Sequence, residues 1–174
     1  MSCARVAYSE LMGHPDERIP AWYERAGDGA RDAGAGLRFA CTSCGNCCSG
    51  PPGYVRFSPE EGAAMARLLG IDEAQFLERY THETVMGRSL TERRGPHGYD
   101  CVFLDRTRVP GKALCQVYQA RPMQCRTWPF WPENLRSRKA WDQAAQKCPG
   151  MNTGPLHTPA FIRVTIEQML DWEK

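Results

Sequence analysis

"CTSCGNCC", residues 41–48, sets four cysteines into eight positions, with Gly45 alone among them offering the backbone unusual freedom. Such a density of thiols suits a disulfide staple, a metal or iron–sulfur site, or a redox pair. The compartment separates these. The start of the chain, "MSCARVAYSE", lacks the basic and apolar segments of a secretory signal, so the cytoplasm is the expected location. Cytoplasmic thiols are kept reduced, and dense cysteines there more often bind metal than pair. The chain has nine cysteines. Cys3 stands far from the rest, leaving Cys41, Cys44, Cys47, Cys48, Cys101, Cys115, Cys125 and Cys148 as candidate metal ligands. Eight thiolates suffice for two four-ligand sites.

A soft metal needs thiolates converging at about 2.3 Å for zinc and sulfur, and Cys-x2-Cys supplies two from one tight loop. Cys41, Cys44 and Cys47 overlap two such units and open like a bacterial ferredoxin. That pattern continues with x3-Cys-Pro, whereas here Cys48 follows at once, so a simple ferredoxin assignment fails. On extended backbone, neighbours such as Cys47 and Cys48 point to opposite sides and would serve two centres or two faces of one polynuclear centre. The other ligands must come from Cys101, Cys115, Cys125 and Cys148, and metal binding would pin the second half of the chain to the first.

The 174 residues are enough for one ordinary domain, with 24% charged and 42% apolar residues and a formal charge of +2. No stretch approaches the roughly 20 apolar residues of a membrane span, and no membrane or nucleic-acid partner is expected. Arg88, Arg93, Arg94, Arg106, Arg108 and Lys112 read as a solvated basic face. Residues 1–38 are expected to form an N-terminal arm and a Gly/Ala-rich linker ("AGDGARDAGAG", 26–36), 39–150 the cysteine-cluster metal-binding domain, and 151–174 a C-terminal helix packed on it.

"PPGYVRF" (51–57) reads as a turn and a short strand. Ser58, Pro59 and Glu61 form a capping box for a helix that stops at Gly70, and Asp72 caps a second helix carrying Phe76, Leu77 and Tyr80. "CVFL" (101–104) and "ALCQV" (113–117) predict a hairpin placing Cys101 and Cys115 on neighbouring strands. Pro122, Pro129 and Pro132 forbid a long helix across 121–132, while 134–146 is compatible with one. Thr158 and Pro159 start a final helix reaching about Trp172. The expected fold class is α+β: a small, irregular, metal-organised domain with short strands and several helices.

"FACTSCGNCC", "CVFLD", "CQVYQARPMQCRTWPF" and "KCPG" together resemble, in order and residue type from Phe39 to Gly150, the YkgJ family of CxxCxxCC cysteine-cluster proteins. The resemblance implies a zinc- or iron-chelating domain that binds metal through the matching cysteines, and it implies no established reaction. A similar cluster accompanies an iron–sulfur centre in flagellin lysine methylases, but that similarity is confined to the cluster and no separate methyl-donor domain is expected.

Beside the cysteines, Arg121 and Arg126 are candidates to offset thiolate charge, or else to pair with carboxylates. Tyr118, Trp128, Phe130 and Trp131 are candidates to wall the centre from water, or ordinary core. His97 is the best nitrogen ligand, though "RGPHGYD" reads as an exposed turn; His14, His82 and His157 show no partners. The first expectation is therefore a metal ion, zinc or iron, with an iron–sulfur cluster as one form of the latter. The alternatives are an iron–sulfur redox or metal-dependent enzyme, and a thiol-based redox regulator. No radical, P-loop or nucleophile-elbow motif is present, so no catalytic residue is assigned.

Overall fold

The computed structural model describes residues 21–25 and 35–172; Cys3, His14 and positions 26–34 of the expected linker lie outside them. The fold is α+β, with six α-helices and several small antiparallel sheets among the described residues.

The most regular unit follows from its caps. Helix α1 (Pro59–Leu69) begins at the Ser58–Glu61 capping box and ends at Gly70, whose φ of 69° closes the last turn. Helix α2 (Glu73–Tyr80) starts where Asp72 accepts a hydrogen bond from the Gln75 amide at 2.8 Å. The facing stripes bury Met65, Ala66 and Phe76 with Leu90, Phe103 and Val117 in one apolar core. Phe76 has no exposed surface and packs on Phe57, Tyr80 and Phe103. Burying a side chain of this size stabilises by about 1.5–3 kcal/mol.

The strands around this core are two to four residues long. Hairpin β3 (Thr81–Thr84) and β4 (Gly87–Leu90) follows α2, and β5 (Glu92–Gly95) pairs with β6 (Gly98–Cys101), which also receives the short β2 (Ser49–Gly50). Two expectations need correction. The expected strand at 51–57 reduces to one bridge, Arg56 to Ser89, because the Val55 amide bonds to the Ser89 hydroxyl at 2.9 Å and leaves the ladder. The expected hairpin of 101–104 with 113–117 shrinks to β7 (Leu104–Asp105) against β8 (Leu114–Cys115); Cys115 faces Leu104, while Cys101 lies on β6 opposite Glu92.

A second core holds the rest. Prolines do break 121–132 into one-turn pieces, α3 (Met123–Arg126) and α4 (Pro132–Leu135), before the longer α5 (Arg138–Ala145). Trp141, Phe130, Leu135 and Cys148 pack there with Ile162 and Ile166 of the final helix α6 (Pro159–Trp172). Tyr23 and Leu37 join the same core, and the Trp22 indole donates to the Leu135 carbonyl at 2.7 Å. Strand β9 (Met151–His157), which no sequence pattern announces, pairs antiparallel with β1 (Leu37–Phe39) across a register shift.

The arginines of the basic stretch are engaged rather than idle. Arg88 pairs with Glu83, Arg93 donates to the Leu104 carbonyl, Arg94 lies over the Tyr99 ring, and Arg108 pairs with Asp105. Among the described residues no helix is long and apolar enough to cross a membrane.

Candidate metal centre

The loop 41–48 is shaped by two left-handed residues. Gly45 (φ 75°) is required twice over, because a Cβ there would also stand 2.6 Å from the Cβ of Ala113; Ser43 adopts φ 56° without that freedom. After Gly45 the chain makes a 3-10 turn, Asn46–Cys48. Cys47 and Cys48 are therefore not on extended backbone, and the expectation that they point to opposite sides is overturned. Their Sγ atoms lie 3.7 Å apart. Two thiolates on one tetrahedral zinc, each about 2.3 Å from it, would be separated by about 3.8 Å.

Three long-range ties hold this loop. The Ala113 amide donates to the Ser43 carbonyl at 2.7 Å, with Lys112 Nζ on the Thr42 carbonyl at 3.1 Å. Asn46 Nδ2 donates to the Lys147 carbonyl at 2.6 Å, drawing in the segment of Cys148. On the third side Arg106 grips Asp100 with Nε and Nη2 at 2.9 and 3.1 Å, and Nη2 also donates to Ser49 Oγ at 2.6 Å, which in turn donates to the Gly45 carbonyl. Asp100 is buried, and the guanidinium holds its carboxyl below the ordinary carboxylate value. Gly95 leaves room for it, since a Cβ there would meet the carboxyl carbon at 2.4 Å.

The Cys125 side is set by α3. Glu61, already part of the α1 cap, accepts from the Met123 amide at 2.6 Å and from Arg126 Nη2 at 3.2 Å. Gln124 bridges back to the Tyr54 carbonyl and the Arg56 amide.

The result is a cavity of about 80 Å³ lined by Cys41, Cys44, Cys47, Cys48, Cys115, Cys125 and Cys148. Seven of the eight candidate cysteines thus face one space. Cys101 is not in the wall, yet its charge still reaches Cys125 and Cys48 and helps push both up. All eight are free thiols. Among the described residues no three Cys, His, Asp or Glu side chains form an ion-binding group.

Their ionisation is uneven. The hydrogen bond from Cys48 brings Cys47 down to about 7 against the opposing effect of burial, and the same bond, followed by burial, drives Cys48 strongly up. Burial pushes Cys101 up to about 11, and burial likewise raises Cys115 and, further, Cys125. Neutral thiols are poor ligands, so these three would ionise only against a metal's own charge.

Of the two candidate cations, Arg121 lines the cavity, where it lowers Cys47; it is braced by the Tyr118 carbonyl at 2.9 Å and lies 3.6 Å over the Tyr118 ring. Arg126 instead takes the carboxylate pairing, to Glu61. Tyr118, Trp128 and Trp131 stand in the wall, while Phe130 belongs to the second core. His97 is exposed at the β5–β6 turn, and neither it, His82 nor His157 lines the cavity. Sequence reasoning missed the Arg106–Asp100–Ser49 latch. Its only local signal was adjacency: Ser49 follows Cys48, and Asp100 precedes Cys101.

The donor set is thiolate throughout, which suits zinc and iron alike. No solved structure matches the chain. A family model described as "CxxCxxCC: Putative zinc- or iron-chelating domain" matches residues 40–149, the whole span from the cysteine loop through Cys148. The chain accordingly belongs to the CxxCxxCC family of cysteine-cluster domains.

Proposed function

We propose that residues 39–150 form a metal-binding domain that holds zinc or iron, as a polynuclear or iron–sulfur centre, through Cys41, Cys44, Cys47, Cys48, Cys101, Cys115, Cys125 and Cys148. The observation that carries this reading is that seven of these cysteines line one cavity although they come from four separated parts of the chain. A single tetrahedral ion uses four sulfurs. Seven around one space are better used by ions that share thiolates, and Cys47 and Cys48, with sulfurs 3.7 Å apart, fit one ion together.

In this reading Cys101 completes the set from behind the wall, Arg121 offsets thiolate charge, and Tyr118, Trp128 and Trp131 limit water. Before the domain, Tyr23 and Leu37 anchor in the second core, and after it β9 and helix α6 (Pro159–Trp172) pack on the domain. The order of the cysteine blocks supports kinship with the YkgJ proteins. Reduced thiols suit the cytoplasm.

The test is anaerobic purification followed by elemental analysis for zinc, iron and acid-labile sulfide, repeated on Cys44→Ser and Cys148→Ser. More than one metal ion per chain is expected, with a clear loss in both variants. A folded, reduced protein without stoichiometric metal overturns the reading. One ion per chain, with Cys148→Ser unaffected, overturns its polynuclear form.

A further inference from the structure

Two polar side-chain atoms in the cysteine-cavity wall are buried and have no hydrogen-bond partner: Thr42 Oγ1 and Trp128 Nε1. Among the described residues the indoles of Trp22, Trp131 and Trp141 are satisfied. Trp22 donates to the Leu135 carbonyl, Trp131 to the Gln124 carbonyl at 3.0 Å, and Trp141 to Asn152 Oδ1 at 2.8 Å. A buried donor without an acceptor is costly, and native proteins leave few. Trp128 also borders a larger open groove lined by Phe161 and Gln168 of α6, but its Nε1 is closed to water, so groove solvent does not serve it.

An indole nitrogen only donates, and a hydroxyl has a proton to give. The acceptor must therefore be an atom that comes within reach when the cavity fills, and the wall is rich in cysteine sulfurs. Thr42 sits between Cys41 and Cys44, and Trp128 lies three residues after Cys125 on the chain just beyond α3. Metal thiolates carry excess negative charge, and hydrogen bonds to such sulfurs draw density from them and steady the centre.

We propose that Trp128 Nε1 and Thr42 Oγ1 are donors reserved for metal-bound cysteine sulfur, and so are positioning residues of the loaded centre. This inference rests on the metal-binding reading above.

Cobalt(II) is a suitable probe, because its thiolate charge-transfer band reports electron density on sulfur and needs no enzymatic activity. The full chain is loaded anaerobically with cobalt(II), and two quantities are read: the band position, and the transfer of cobalt to a competing chelator. Trp128→Phe and Thr42→Val remove the donors. Each should move the band to lower energy and favour transfer by about tenfold, in the range of outer-shell effects on metal affinity.

Thr42→Ser, which restores a hydroxyl, and Trp22→Phe, whose donor is already engaged by the Leu135 carbonyl away from the cavity, should keep the wild-type band. The Thr42 pair decides the question if Trp128→Phe fails to fold. Unchanged band and transfer in Trp128→Phe and Thr42→Val, or an equal shift in Trp22→Phe, overturns the inference while leaving metal binding intact. Failure of the wild-type protein to take up cobalt(II), zinc or iron overturns both.

Discussion

The core beneath α1 and α2 and the wall of the cysteine cavity are built on opposite terms. The first is closed by its own side chains: Met65, Phe76 and Phe103 are almost wholly buried, and each helix carries its cap within three or four residues. The second is held open by hydrogen bonds that cross the chain, Asn46 to Lys147, Ala113 to Ser43 and Arg106 to Ser49, around a space into which thiols face. One region is finished by apolar burial. The other is lined by thiols from four parts of the chain and is shaped by polar contacts between distant segments.

The strongest way to break this contrast is to remove the metal. After chelation under reducing conditions, amide exchange in Gly45–Cys48 and Met123–Cys148 should accelerate by about 10³-fold or more, because structural metal commonly contributes many kcal/mol to the segments it cross-links. Amides of α1 and α2 should change by less than about tenfold, as local opening of well-packed helices draws on their own contacts. Equal acceleration in both regions would show that they are one cooperative unit.

The converse perturbation is Phe76→Ala. Its cavity should cost about 3–5 kcal/mol in denaturant unfolding. Under native conditions the metal content per folded chain should stay at the wild-type level, since Phe76 touches the first core and not the cavity wall. Loss of metal in this variant would mean that the site depends on the apolar core for its shape.

The same contrast explains what could be read in advance. Caps and stripes act over three or four residues, so Ser58, Glu61, Gly70 and Asp72 announced α1 and α2. Cysteine spacing announced the loop of Cys41, Cys44, Cys47 and Cys48, all of which line the cavity. The facing of Cys47 and Cys48 was not legible, because it depends on a 3-10 turn set by Gly45 and secured by Asn46 on a carbonyl 101 residues away. The Arg106 latch was hidden for the same reason: its serine partner lies 57 residues back. Strand β9 contains Gly154 and Pro155, which read as breakers, and exists because β1 offers a partner across the second core.

A smaller effect, in pH, sharpens the comparison at the place where the regions meet. Cys101 and Cys115 pack against the first core, yet Cys115 also lines the cavity, so their protons report on both. In the metal-free protein burial raises Cys101 from 9.0 to about 11. Below pH 9 the folded and unfolded chains both keep this proton, and its contribution to stability is fully present. Between 9 and 11 the unfolded chain releases the proton while the folded chain retains it, so stability falls, by on the order of 2 kcal/mol. Urea unfolding of the metal-free protein from pH 8 to 11 should show this decline, and Cys101→Val should flatten it. The loaded protein should behave oppositely, because metal replaces these protons and acidification returns them: it should release metal as pH falls. Metal retention unchanged on acidification would mean that these thiols do not hold the metal, and an alkaline decline left intact in Cys101→Val would assign it to the other thiols raised by burial, Cys115 and Cys125.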